Sequence, residues 1–80
     1  MRSQRLTPRV REALRQLAAG PQDMRDDALH ALINDEMRKL PIDEIEFVRD
    51  RVRYTCPPGP MVQSVVLMLN GLIDLKRLGL

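Results

Sequence analysis

Six prolines, at positions 8, 21, 41, 57, 58 and 60, divide these eighty residues more firmly than anything else in the chain. Proline has no backbone N–H and clashes with the preceding helical turn, so none of the six can lie inside a helix or a central strand. Between them the apolar residues recur at three- and four-residue intervals, the period of a helix buried on one side. The pattern predicts an all-α, small four-helix domain, with helices at about 8–19, 24–40, 44–55 and 61–78.

The local signals agree with that division. Thr7 followed by Pro8 reads as an N-cap and first helical residue, and Val10, Ala13, Leu14, Leu17 and Ala18 form one stripe that Gly20-Pro21 ends. The second helix is expected to start near Asp23 and to carry Asp26 and Asp27 in its first turn, at the positive end of the helix dipole. Its buried face is Leu29, Leu32, Ile33, Met37 and Leu40, and Pro41 stops it. For the third helix, Asp43 and Glu46 read as an acidic capping box, with Ile42 and Phe47 as a hydrophobic staple. Ile45, Val48 and Val52 face inward there, and Glu46/Arg49 and Asp50/Arg53 are spaced to pair on the outer face. Cys56-Pro57-Pro58-Gly59-Pro60 is a stiff connector, and Asn70-Gly71 is a place where the fourth helix could break.

Composition narrows the class. A chain this short makes one domain with a modest core. Residues 1–6 read as a flexible basic arm and residues 7–80 as the domain. Cys56 has no second cysteine to pair with, and one cysteine plus one histidine cannot build a zinc site. An unpaired thiol and the lack of an apolar leader point to a cytoplasmic protein. Arginine outnumbers lysine eleven to two, a bias expected of a GC-rich bacterial or phage genome. The charge is segregated: net +4 over residues 1–19, −5 over residues 20–50, and +3 over the remainder. That is not the broad basic field of a dedicated nucleic-acid binder.

Neither an enzyme nor a cofactor protein is expected. Asp23, Asp26 and Asp27 with Asp43, Glu46 and Asp50 could be imagined around a magnesium ion, but their positions already suit them to capping and ion pairing. His30 has no nucleophile in motif with it. Cys56-Pro57 and the Pro57–Pro60 spacing are dipeptide-level signals, better explained by a rigid elbow.

Two features point to binding. The last helix carries Val62, Val65, Val66, Leu69, Leu72 and Ile73 on one stripe, extended by Met61, Met68 and Leu75. The apolar arc covers roughly half the circumference, against about 100° for a minimal amphipathic helix. Leu67 and Leu78 fall on the opposite, otherwise polar side. Two readings stay open: a core helix covered by the other three, or a helix packed between its own domain and a neighbouring chain. A membrane span is not expected, because Gln63, Ser64, Asn70 and Asp74 interrupt the segment. The second feature is the basic head, where Arg2, Arg5, Arg9, Arg11 and Arg15 could grip phosphates or an acidic surface.

Met68-Leu69-Asn70-Gly71-Leu72-Ile73-Asp74-Leu75, with Leu78-Gly79-Leu80, resembles the end of a winged-helix recognition helix and its exit. Val65 to Leu69 lacks the side chains that read bases, and the chain is assigned to no family on that run. The expectation is a non-enzymatic regulator, adaptor or inhibitor acting on another protein. Its interface would be drawn from Met61, Val62, Val65, Val66, Leu69, Leu72 and Ile73, and it would form a homodimer. The alternative is a dimeric DNA-binding regulator that uses the arginine-rich head.

Overall fold

The computed structural model describes residues 6–20 and 26–79, in four helices with no strand among them. The expected arm at Arg2 and Arg5, the helix start at Asp23 and the final Leu80 lie outside the described residues.

Helix α1 spans Pro8–Ala19. The Thr7 hydroxyl accepts a hydrogen bond from the Val10 N–H at 3.2 Å, satisfying one of the donors a helix start leaves open, an effect of about 1 kcal/mol. The helix ends at Gly20, whose N–H donates to the Gln16 carbonyl at 2.8 Å. A Cβ there would sit 2.9 Å from that same oxygen, too close without a shift of backbone.

Helix α2 covers Asp27–Met37, shorter at both ends than the pattern predicts. Asp26 stands outside it in extended backbone as the N-cap, and its carboxylate accepts from the Leu29 N–H at 3.0 Å. At the other end, Lys39 N–H donates to Glu36 O and Leu40 N–H to Met37 O. These tighter i→i−3 bonds close the last turn before Pro41.

Helix α3 runs Ile42–Thr55, which corrects the expected start. Pro41 is the N-cap, and its carbonyl accepts from both Glu44 N–H and Ile45 N–H at 3.1 Å. Helical backbone therefore begins two residues before the predicted 44, and Asp43 lies in the first turn instead of capping it. No side chain caps this helix, so the expected capping box does not form. Ile42 opens the helix and is not a residue ahead of it.

Helix α4 spans Pro60–Arg77, entered through an extended Gly59 with Pro60 at the first helical position. It runs unbroken through Asn70-Gly71. Leu69 and Ile73, on either side of that dipeptide, are both buried, and their packing outweighs glycine's local cost of about 1 kcal/mol. Lys76 and Arg77 occupy the last turn, where cations suit the negative end of the dipole.

The core follows from the apolar stripes. Val10, Ala13 and Leu17 of α1, Leu29, Ile33 and Met37 of α2, and Ile45, Val48 and Val52 of α3 are buried. Met61, Val62, Val65, Leu69 and Ile73 of α4 join them in one cluster. Helix α4 packs along α3 as an antiparallel hairpin and also meets α2, while α1 lies against α2 and α3. No described helix is long and apolar enough to cross a membrane.

Candidate functional site

Two surfaces of the described residues bear on the predicted sites: the outer side of α4 and a cleft between α1 and α3.

Helix α4 spends its predicted interface stripe on the domain itself. Met61, Val62, Val65, Leu69 and Ile73 are buried within this chain, so they present no surface in the folded domain. Val66 and Leu72 are half-buried. The reason is geometric: the connector folds α4 back along α3 and under α2, and the wider stripe is the one they cover. What stays outside is Leu67 and Leu78 on the opposite side, joined by Leu75 from the edge of the predicted apolar arc. Leu67 is 62% exposed, Leu75 47% and Leu78 73%. Leu78 lies nine residues from Leu69, or about 180° around a helix at 100° per residue. Gly71 lies between Leu67 and Leu75, and a Cβ built on it would meet nothing within 4 Å. Leu67, Gly71, Leu75 and Leu78 thus lie along a strip about 16 Å long, which the exposed Asp74 shares. A hollow at the elbow, bordered by Pro58, Pro60, Val66 and Leu67, joins this strip at its N-terminal end.

The basic head is divided by its partners. Arg9 Nη1 lies 3.6 Å from a carboxylate oxygen of Glu36, a buried acid that Lys39 also approaches at 3.6 Å. Arg15 grips Glu12 with two hydrogen bonds, of 2.9 and 2.5 Å. With a further bond from Gln16, the Arg15 fork holds the Glu12 carboxyl down at about 2. Arg11 and, on α3, Arg51 are exposed and enter no ion pair among the described residues. The structure therefore leaves Arg11 free, commits Arg9 and Arg15, and brings in Arg51, which sequence reasoning did not connect to the head. No local spacing could have signalled it, since forty residues separate Arg11 from Arg51.

Those two arginines help to line a cleft of about 420 Å³ between α1 and α3. Its walls are Leu6, Leu14 and Ala18 on one side and Phe47, Val52 and Cys56 on the other, with Arg15 and Thr55 also lining it. Burial pushes the Cys56 thiol up, although the Thr55 side chain acts in the other direction. The sulfur therefore contributes a protonated, weakly polar patch of wall and not a thiolate. Thr55 turns its hydroxyl to the Arg51 carbonyl at 2.5 Å.

Among the described residues, no group of three His, Cys, Asp or Glu side chains is placed to hold a metal ion. Asp26 caps α2, Glu46 binds Arg77, and Asp50 accepts from Arg49 at 3.1 Å. One carboxylate oxygen of Glu44 is buried without a hydrogen-bond partner. Its place in the first turn of α3 puts that charge near the positive end of the helix dipole.

The described residues form a small all-α four-helix domain. Comparison with protein-family models, curated proteins and solved structures finds no match to this chain.

Proposed function

We propose that this chain is a non-enzymatic regulatory or adaptor module that works by protein contact, with the outer strip of α4 as its interface and a second copy of itself as the first partner. The observation that supports this reading is the exposure of Leu67, Leu75 and Leu78 in line with an open Gly71, on a helix whose other side already fills the core. Isolated surface leucines need no explanation, but three fall within one arc of this helix, with Asp74 exposed among them.

The strip can be paired with a second copy of itself. A two-fold axis between Gly71 and Leu75 would set an antiparallel α4 of the second copy against the first. Leu67 would then oppose the partner's Leu78, and Leu75 would drop into the space over the partner's Gly71, as an isologous interface requires. Glycine at a helix crossing lets the two backbones approach closely. The half-buried Val66 and Leu72 belong to the flanks of this surface. Of the residues first expected at an interface, Met61, Val62, Val65, Leu69 and Ile73 act indirectly, by holding the strip rigid. A single buried thiol suits a reducing compartment, and we place the module in the cytoplasm of a bacterial or phage-infected cell.

Sedimentation equilibrium over a range of concentrations tests the reading. The wild-type chain should show a reversible dimer, and Leu67→Glu with Leu78→Glu should abolish it while helix content stays unchanged. A wild-type chain that remains monomeric at the highest concentration reached would remove the proposed interface. A salt-dependent shift of random duplex DNA, absent from an Arg11→Gln and Arg51→Gln variant, would favour the nucleic-acid reading instead.

A further inference from the structure

We infer that the cleft between α1 and α3 is a binding site for a small apolar carboxylate, a single hydrocarbon chain ending in one acid group. The inference concerns a different surface from the α4 strip and does not depend on it. Its size, about 420 Å³, is within the range of small-molecule sites, roughly 300–1,000 Å³, which are mostly apolar with a few placed polar groups. Leu14, Ala18, Phe47 and Val52 supply the apolar walls, and Cys56 continues them as a protonated thiol.

Charge selects the sign of the ligand. Three arginines line the cleft and no carboxylate does. Arg15 is already held by Glu12, so the attraction comes from Arg11 on one wall and Arg51 on the other. Each offers a planar fork of donors suited to a carboxylate. Both are exposed and neither has an ion-pair partner among the described residues, so a ligand would not have to break an internal salt bridge to reach them.

The dimensions favour one hydrocarbon chain over a peptide. From Arg11 to Ala18 and from Phe47 to Cys56 the walls run for about 10–14 Å at the helical rise. That length suits a medium-chain acid. The walls are helices whose main-chain groups are bonded internally, so they offer no edge to hold an extended peptide backbone.

Titration of the full chain with decanoate, decylamine and decanol, followed by amide NMR, tests this. Decanoate should bind saturably at one site, moving the Ala18, Val52 and Cys56 resonances, and decylamine should bind at least about tenfold more weakly. Arg11→Gln combined with Arg51→Gln should weaken decanoate by about tenfold or more with an unchanged circular dichroism spectrum, since both residues are exposed. Ala18→Leu should block the cleft and leave the dimer as in the wild type. Leu67→Glu with Leu78→Glu should leave decanoate binding intact. Equal binding of the acid, amine and alcohol, or binding of decanoate without saturation, would overturn the inference. So would decanoate-induced shifts confined to α4, or tighter binding of an acidic peptide than of decanoate at the same resonances.

Discussion

Arg77 donates from Nη2 to a carboxylate oxygen of Glu46 at 2.7 Å, joining the last turn of α4 to α3 across thirty-one residues of sequence. Arg49 makes a second tie on the same hairpin, from Nη1 to the Asn70 side-chain oxygen at 3.1 Å. Both follow an antiparallel register, in which earlier residues of α3 meet later residues of α4. They replace the Glu46/Arg49 and Asp50/Arg53 pairs that helical spacing predicts. Glu46 finds its arginine on another helix, and Arg49 turns to its neighbour Asp50 and to Asn70.

The Glu46–Arg77 pair is expected to align the hairpin more than to stabilise it. Arg77 is largely exposed and Glu46 about one third so, and such pairs contribute roughly 0.2–1 kcal/mol. A double-mutant cycle of Glu46→Gln and Arg77→Ala, read by urea unfolding, should give a coupling energy within that range and smaller at high salt. A coupling well above it would mean that the two charges are more desolvated than their exposure indicates.

Gly71 separates the stability of the domain from its proposed association. It lies inside α4 with open space where a Cβ would go, so Gly71→Ala should stabilise the dilute monomer by roughly 0.5–1 kcal/mol. In the proposed dimer the added methyl would meet the partner's Leu75, and the same substitution should raise the dimer dissociation constant. Unfolding at low concentration and sedimentation at high concentration read the two effects separately. A substitution that strengthened both would argue against close approach of helices at this position.

Glu12 should titrate apart from an ordinary carboxylate. Hydrogen bonds from Arg15 and Gln16 hold it at about 2, below its unfolded value. Its contribution to the folded state is therefore complete above the ordinary carboxylate range and is lost as pH falls toward about 2. Carboxyl NMR across an acid titration should show that low midpoint, and Arg15→Gln should return Glu12 toward the ordinary range. Because both side chains are at least half exposed, added salt should move the midpoint in the same direction. A wild-type midpoint already in the ordinary range would show that the fork does not persist in solution.

Most of the secondary structure was legible, and the departures have local causes. Thr7-Pro8 and Gly20 bounded α1 as read, because a cap hydroxyl, a proline and a glycine act on their own backbone. The pattern puts Asp26 inside its helix and the residue stands just outside, since a carboxylate suits both the cap and the first turn. Asp43 reads as a cap because its spacing to Glu46 fits a capping box. Pro41's carbonyl took the first bonds instead, and Glu46 was drawn to Arg77. Of the surfaces, Arg11 was legible from the basic head. Arg51 and the cleft were not, because they exist only where α1 lies against α3.

The exposed line of α4 shows where each kind of information stops. Periodicity alone determined that this helix has a broad apolar stripe, with Leu67 and Leu78 opposite it, since side-chain direction follows from 3.6 residues per turn. It could not determine which residues would be covered, because burial depends on what lies alongside. The tertiary structure decided that by folding α4 back through the proline connector onto α3 and α2. The broad stripe from Met61 to Ile73 became core, since burying the larger apolar area is the stronger drive. The narrow strip of Leu67, Gly71, Leu75 and Leu78 was left facing outward.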